Sequence, residues 1–173
     1  NDDMPSSSAY SSRFGSLIRA YQMIGYTPNR DYRYIEINRH LRKIYPSIVE
    51  DTLQKIRDLG GTVRREVRND LIHINDEITA SIIISRCSQT VTGKNSWMIR
   101  LDSGLRPDIT IIVRMDECNK QARDYYLIPS IDIENQKIRL SPSNGLALDM
   151  YRFDDLQPFF KLTQRCHLKE LTL

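Results

Sequence analysis

Basic side chains are concentrated in two segments of the sequence, where they could contact phosphate groups. Residues 30–43 carry five basic residues against Asp31 and Glu36, and residues 64–68 carry three arginines against Glu66. Lysine and arginine supply most phosphate contacts in nucleic-acid complexes. The predicted nucleic-acid contacts are therefore Arg30, Arg33, Arg39, Arg42, Lys43, Arg64, Arg65 and Arg68. The alternative is a solvated helix face followed by an edge strand that its charges protect.

A second group of residues has the order of a nuclease motif. Gly60-Gly61 ends a predicted helix, Asp70-Leu71-Ile72 begins a predicted strand, and Ile84-Ser85-Arg86 lies 13 intervening residues after Asp70. Further along, an apolar strand over Ile109–Asp116 is followed by a Tyr-rich strand that ends at Pro129. From Leu53 to Pro129 this layout resembles the PD-(D/E)XK nuclease superfamily. The resemblance implies a restriction-endonuclease-like fold with an Asp on its second strand.

The same resemblance implies a third strand with an acidic residue or Gln, one spacer residue and a Lys. A hard divalent cation needs oxygen ligands there, and Ile84 supplies none. Arg86 stays protonated, so it would serve as a phosphate clamp rather than as a proton-transfer group. Only Asp70 matches the catalytic motif of the superfamily, and an Asp in a hairpin is commonly a turn residue. We therefore expect DNA binding without cleavage, with no cofactor and with Arg86 among the contacts.

Three alternatives stay open. The first is an active metal-dependent nuclease that binds Mg²⁺ through Asp70 or through a migrated site at Pro107-Asp108. The second is a winged-helix DNA-binding module, with residues 47–59 as the recognition helix and residues 62–75 as the wing. The third is a protein-interaction or oligomerisation domain. Tyrosines among the basic residues could stack on bases or pack the helical lobe.

Apolar spacing predicts helices that precede all of the strands. Helices are expected over residues 14–25, 34–45 and 47–59. The third would begin with a capping box, in which Ser47 caps and Glu50 lies three residues later. Gly60-Gly61 would end it in a left-handed turn. Strands are expected over residues 62–67, 71–75, 78–87, 97–101, 109–115, 125–128 and 137–140, and a closing helix over residues 155–166.

This order predicts an α+β fold, with an N-terminal helical lobe, a mixed or antiparallel sheet of about six strands and a C-terminal helix. The lobe would cover residues 13–61 and the sheet core with its closing helix residues 62–173, as one domain over residues 13–173. We expect residues 1–12 to be a disordered linker at the edge of a fragment of a longer protein.

Composition and cysteine content indicate the cellular compartment in which the domain is expected. No stretch of 18 apolar residues occurs, so no membrane span is expected. Cys87, Cys118 and Cys166 are widely spaced and odd in number, which favours a reducing compartment, and no metal site is predicted. We expect an intracellular protein, cytoplasmic or nucleoid-associated. Its expected partners are DNA and other domains of the parent chain, and a homo-oligomer is left open.

Overall fold

The computed structural model describes residues 7–15, 17–23 and 33–166. The chain divides into two compact units, Asn1–His40 and Leu41–Leu173. The boundary lies at residue 40 rather than at residue 61, where the sequence analysis ended the helical lobe. A single domain over residues 13–173 stays a prediction. Among the described residues, no helix is long and apolar enough to cross a membrane.

The first unit contains two short helices, α1 (Ser7–Phe14) and α2 (Leu17–Met23). The helix predicted over residues 14–25 is present as α2, which begins only at Leu17, and residues 24 and 25 lie outside the described residues. Gly15 adopts a left-handed conformation, with φ 81°, directly after α1. Residues 7–12, expected as part of a linker, form most of α1. Residues 1–6 lie outside the described residues.

One long helix, α3 (Arg33–Asp58), replaces the two helices predicted on either side of Pro46. A proline inside a helix removes one backbone donor, but Pro46 is exposed, and Val49, Leu53 and Ile56 are buried further along. That apolar burial keeps the helix continuous. The predicted capping box is wrong, because Ser47 donates to the Asp51 carboxylate at 3.4 Å inside the helix. The winged-helix alternative is also wrong, since it needs a turn here.

Two glycines end α3 as predicted. Gly60 has φ 82°, and the Gly61 amide donates to the Ile56 carbonyl at 3.0 Å. A Cβ at Gly60 would collide with the backbone carbonyl of Arg165. Glycine is therefore required at Gly60 both by its backbone conformation and by the close approach of another segment.

Nine strands follow α3 in the described part of the chain. They are β1 (Val63–Arg65), β2 (Ile72–Ile74), β3 (Ile78–Ser85), β4 (Cys87–Gln89), β5 (Asn95–Arg100), β6 (Ile109–Met115), β7 (Ala122–Pro129), β8 (Lys137–Leu140) and β9 (Arg152–Phe153). Six of them form one sheet in the order β1-β2-β3-β6-β7-β9. The β3–β6 pair is parallel, and the other pairs of this sheet are antiparallel. The predicted α+β class and mixed six-stranded sheet are confirmed.

A smaller antiparallel sheet, in the order β4-β5-β8, lies on one face of the first. The strand predicted over residues 78–87 is present as β3, but it ends at Ser85 because the chain changes sheets at Arg86. The buried side chain of Asn119 completes this change. It accepts from the Cys87 amide at 2.6 Å and donates to the Cys87 carbonyl at 3.0 Å, which satisfies both backbone groups where the sheet is interrupted.

The larger sheet is covered on both faces. Ile112, Tyr126 and Ile128 of β6 and β7 pack against Trp97 and Leu140 of the smaller sheet. Residues of α3 and of β6 and β7 line a shared groove of about 290 Å³. Burial of these faces, at about 25 cal/mol per Å² of apolar area, is the main stabilising contribution to the second unit.

The chain closes with α4 (Leu146–Asp149) and α5 (Gln157–Thr163). The predicted closing helix is present but shorter than residues 155–166, and Pro158 lies in its first turn as predicted. Asp155 accepts from the Gln157 amide at 2.8 Å. The side chain of Asn75 accepts from the Thr62 amide and donates to the Thr163 carbonyl, both at 2.9 Å, so it joins the β1–β2 hairpin to α5.

Candidate functional site

A cleft of about 600 Å³ opens where β2 begins beside β3. Ile72 is the partner of Ala80, so the residues just before Ile72 lie next to the residues just after Ala80. This wall of the cleft is formed by Tyr45, Asp70 and residues 81–83. The residues beside Asp70 are therefore Ser81, Ile82 and Ile83, not the Ile84-Ser85-Arg86 run that the nuclease layout predicted there.

The facing wall comes from the β5–β6 connection and from the segment after β7. It contributes four charged side chains, those of Arg100, Asp102, Arg106 and Glu134. Sequence reasoning missed both arginines. Alternation with the buried Trp97 and Ile99 indicates that Arg100 points outward, but no local signal shows that β5 lies next to this part of β3.

Asp70 is held by a basic and a phenolic side chain. The Arg65 guanidinium donates to its Oδ1 from Nε at 3.1 Å and from Nη2 at 2.8 Å. The Tyr45 hydroxyl donates to its Oδ2 at 3.4 Å. Burial of Tyr45 and the nearby Asp70 charge raise the pKa of the Tyr45 hydroxyl, which keeps its proton in place. Both oxygens of Asp70 are therefore already engaged, and its φ of 59° fits a turn residue.

The Asp70 wall of the cleft does not offer a set of ligands that fits a hard divalent cation. On the Asp70 wall the neighbouring strand offers the hydroxyl of Ser81 and the apolar side chains of Ile82 and Ile83. Mg²⁺ sites in proteins require carboxylate oxygens, usually supplemented by substrate phosphates. Within the described ranges, no group of three or more His, Cys, Asp or Glu side chains could hold a metal ion. No metal-dependent step follows from these residues.

Asp108, the alternative catalytic residue, holds two strands together. Its Oδ2 accepts from the Thr79 amide and from the Thr79 hydroxyl, both at 2.7 Å, and its own amide donates to that hydroxyl at 3.0 Å. These hydrogen bonds lower the pKa of Asp108. Thr79 is near the start of β3 and Asp108 directly precedes β6, so the contact fixes the start of the parallel pair. Pro107 lines the cleft, whereas Asp108 is not among its lining residues.

The predicted basic residues are distributed over both units. Arg30 lies outside the described residues. Arg33 and Arg39 belong to the first unit, and Arg39 donates to the Gly15 carbonyl at 3.2 Å. Arg42 and Lys43 are exposed on the part of α3 that belongs to the second unit. The two parts of the predicted helical cluster therefore belong to different units.

The hairpin arginines differ in their surroundings. Arg64 and Arg68 are exposed and, among the described residues, form no ion pair. Arg65 is turned to Asp70, as described above. Arg86 is half-buried at the point where the chain changes sheets. Of this set, Arg64 and Arg68 are exposed on the same hairpin as Asp70, but neither lines the cleft.

A buried ion pair between neighbouring strands of the larger sheet was also missed. Arg114 of β6 donates to both oxygens of Asp124, at 2.7 and 2.5 Å, and to the Ser141 carbonyl at 2.5 Å. Its guanidinium lies 4.5 Å from the centroid of the Trp97 ring and 5.2 Å from that of Tyr126. Both partners of the pair are almost fully buried, so this contact is structural.

Tyr126 connects this pair to the segment after β8. Its hydroxyl donates to Asp149 at 2.8 Å and accepts from the Asn144 side chain at 2.8 Å. Burial and the hydrogen bond to Asp149 raise the pKa of Tyr126 to about 12. The phenol is thus held neutral as a structural donor.

Comparison with known proteins gives a similarity of structure without a similarity of sequence. No protein-family model matches the chain, and no curated protein matches its sequence. The structure is similar to that of a bacterial homing endonuclease, with a TM-score of 0.40 and 13% sequence identity. The similarity covers 66% of this chain and 86% of the other.

Proposed function

We propose that this domain binds DNA through phosphate contacts and does not cleave it. The proposal includes an intracellular setting, cytoplasmic or nucleoid-associated, in keeping with free thiols at Cys87, Cys118 and Cys166. It also keeps the relation to PD-(D/E)XK nucleases as a hypothesis, with a cleft that has lost the means of binding a metal.

The observation that carries the proposal is the state of the cleft. Its carboxylate Asp70, in the turn before β2, is already paired with Arg65, and the adjacent strand presents Ser81 and Ile83 rather than ligands. A nuclease of the metal-dependent type needs cation ligands at this place to activate water and to neutralise developing charge. Because the Arg65 guanidinium is bound to the Asp70 carboxylate, a positive charge of the protein occupies the place where a cation would otherwise bind.

Exposed arginines on the β1–β2 hairpin and in the cleft support the DNA-binding part of the proposal. Arg64 and Arg68 lie on the hairpin that supplies Asp70, and Arg100 and Arg106 line the opposite wall. None of the four forms an ion pair with another described residue. Exposed arginines without carboxylate partners are suited to phosphate oxygens, which they can bind through two parallel hydrogen bonds.

Substitution of Arg64 and Arg68 tests the binding. We expect the Arg64→Ala/Arg68→Ala variant to bind short DNA duplexes more weakly at every sequence, because phosphate contacts carry no sequence information. The slope of log affinity against log salt should fall in magnitude by about 0.9 for each phosphate that the variant no longer neutralises. Fluorescence anisotropy over a salt series measures both quantities. Arg65 is left intact because its removal would also release Asp70.

A Lys55→Ala/Lys161→Ala variant is the matched control, since it removes the same charge from exposed positions on α3 and α5. The control should keep the wild-type slope. Equal slopes for all three proteins, or no binding by the wild type even at low salt, would contradict the proposal. In the latter case, a stable dimer in light scattering would favour a protein-interaction domain.

Incubation with supercoiled plasmid and magnesium or manganese tests the absence of cleavage. We expect no nicking above that of the Asp70→Ala variant, because the wild-type cleft lacks a second ligand beside Asp70. Nicking by the wild type that disappears in Asp70→Ala or in Asp108→Ala would establish the nuclease alternative instead. The two variants would also tell which carboxylate is responsible.

A further inference from the structure

The exposed face of the smaller sheet carries a cluster of positive charge. In the β5–β8 pair, Met98 is the partner of Arg139, and Arg100 is the partner of Lys137. All four side chains are exposed, whereas Trp97, Ile99 and Leu140 on the opposite face are buried. We call the exposed set, Met98, Arg100, Lys137 and Arg139, the basic face.

No acidic side chain belongs to the basic face, so its positive charges are not neutralised within it. Arg100 and Lys137 are directly opposite each other, an arrangement that destabilises an antiparallel pair, whereas opposite charges would stabilise it. Within the described part of the chain, Arg100, Lys137 and Arg139 form no ion pair. Protection of an exposed sheet edge accounts for charges on β8, but not for Arg100, because β5 is the central strand of its sheet.

The basic face is continuous with the cleft. Arg100 belongs to both, and Gln136, which directly precedes β8, lines the cleft as well. The Leu101 amide donates to the Gln136 carbonyl at 2.8 Å, so these two segments are fixed to each other at the boundary. A ligand that contacts Arg100 from the cleft can therefore extend over Lys137 and Arg139 without leaving the protein surface.

The side chains of the basic face favour a duplex over a single strand. Proteins that bind single strands combine positive charge with aromatic side chains on which bases stack. The four exposed positions of the basic face hold one methionine and three basic residues, with no aromatic residue among them. Charge without stacking groups fits a phosphate backbone whose bases remain paired.

We propose that the basic face is a second contact surface for the phosphate backbone of duplex DNA, continuous with the cleft. This inference rests on the proposed DNA-binding function and adds a surface that the hairpin arginines do not include. A single duplex would then contact the β1–β2 hairpin, the arginines of the cleft and the outer face of the smaller sheet.

The Lys137→Ala/Arg139→Ala variant tests the proposal. Fluorescence anisotropy with a short DNA duplex over a salt series should show a slope reduced in magnitude by about 0.9 for each residue, with a similar loss at every sequence. Lys55→Ala/Lys161→Ala serves again as the charge-matched control. Lys137→Gln/Arg139→Gln is the second variant, because glutamine keeps side-chain bulk, and circular dichroism with thermal melting verifies that each protein folds.

The possible outcomes separate the two proposals. If the wild type does not bind duplex DNA, the proposed function fails and the basic face has no role in it. If the wild type binds and Arg64→Ala/Arg68→Ala weakens binding, but both variants of Lys137 and Arg139 keep the wild-type slope, only the basic face is wrong. Tighter binding of the wild type to single-stranded DNA or to duplex RNA than to duplex DNA would overturn the choice of ligand.

Discussion

At the scale of single residues, the two carboxylates considered for catalysis have different partners. Asp70 is bound by Arg65 and Tyr45, and Asp108 is bound by the backbone and hydroxyl of Thr79. In each case the protein supplies the hydrogen-bond donors that a metal-bound water or a substrate would otherwise supply. These contacts hold each carboxylate in the local structure.

The lowered pKa of Asp108 predicts a pH dependence of stability. Because the folded-state pKa lies below the unfolded value of about 3.9, the folded state binds fewer protons in this range. The stabilisation is present above that value and is lost as the pH falls through the folded pKa. The difference in free energy of unfolding between wild type and Asp108→Asn should therefore shrink below about pH 4. Urea denaturation at several pH values measures it.

Asp76→Asn is the control for this prediction. Asp76 is exposed and, among the described residues, its side chain makes no hydrogen bond. Asp76→Asn removes the same charge without removing such hydrogen bonds, so it controls for the loss of a carboxylate alone. A difference for Asp108→Asn that is equally large at neutral pH and in acid would contradict the assigned role of the Thr79 hydrogen bonds.

Gly60 gives a prediction with a close control. Gly60→Ala should destabilise the protein by more than Gly93→Ala, because both glycines have φ near +80° but only Gly60 has a backbone atom in the space of a Cβ. Gly93 has nothing within 4 Å, so its substitution adds only the conformational cost of about 1–2 kcal/mol. Thermal melts of the two variants provide the comparison. Equal losses would show that the Arg165 segment moves away without cost.

At the scale of elements, α3 shows tertiary packing prevailing over local signals. Pro46 and the Ser47–Glu50 spacing both indicate a helix boundary, yet the helix continues through them. In place of a capping role, Glu50 pairs with Arg57 at 2.9 Å along the exposed side of the helix. The capping signal was a coincidence of residue types on a solvated face.

Ser47→Ala tests this account of α3. An N-cap serine contributes about 1 kcal/mol, whereas an exposed serine inside a helix should change the free energy of unfolding by less than about 0.5 kcal/mol. Leu53→Ala, at a buried position of the same helix, should cost about 2–5 kcal/mol. Chemical denaturation of the two variants is sufficient. A loss near 1 kcal/mol for Ser47→Ala would restore the capping box.

Predictions from the sequence were correct where a local rule and the tertiary structure favour the same conformation. Gly60-Gly61 ended α3 because a left-handed turn favours glycine, and the apolar run Ile82–Ile84 predicted a central strand that is indeed covered on both faces. The change of sheet at Arg86 could not be foreseen, because it depends on Asn119, which lies 32 residues from Cys87 along the chain. Periodicity contains no information about such a partner.

The candidate site was predictable to a smaller extent than the fold. Asp70 could be identified from the helix–hairpin order, but its neighbours on β3 depend on the Ile72–Ala80 register, which the hairpin sequence did not determine. Arg100 and Arg106 were missed because the β5–β6 connection reaches the cleft only in three dimensions. The role of the predicted basic residues as DNA contacts stays a prediction for the whole set, which comprises Arg30, Arg33, Arg39, Arg42, Lys43, Arg64, Arg65, Arg68 and Arg86.

At the scale of the whole molecule, the Arg114–Asp124 pair connects the two sheets through Trp97 and Ser141. Arg114→Leu should cost about 3–5 kcal/mol, because it removes both hydrogen bonds to the buried Asp124 carboxylate and leaves it only Arg123 and Arg152, each at 4.0 Å. The double variant Arg114→Leu/Asp124→Leu should lose less than the sum of the two single losses, since the residues are in contact. Urea denaturation of the wild type and of the three variants completes this double-mutant cycle and measures the coupling free energy between the two residues.

Glu117→Ala is the control for this cycle. Its pair with Arg123 spans 3.9 Å on the surface, and such pairs contribute about 0–1 kcal/mol. Additive losses in the Arg114 and Asp124 variants would contradict direct coupling between the two residues and would assign the stability of the sheet contact to Trp97 and its apolar neighbours alone.

The order of strands along the chain has a consequence for synthesis. β4 and β5 leave the ribosome before β6 and β7, yet their apolar face is covered by Ile112 and Tyr126 of those later strands, and their own sheet is completed only by β8. A nascent chain that ends before residue 140 therefore exposes Trp97 and Ile99 to the solvent. The β4–β5 hairpin lies in the connection between β3 and β6. Its apolar face is therefore available to chaperones during elongation, and it is buried in the folded protein.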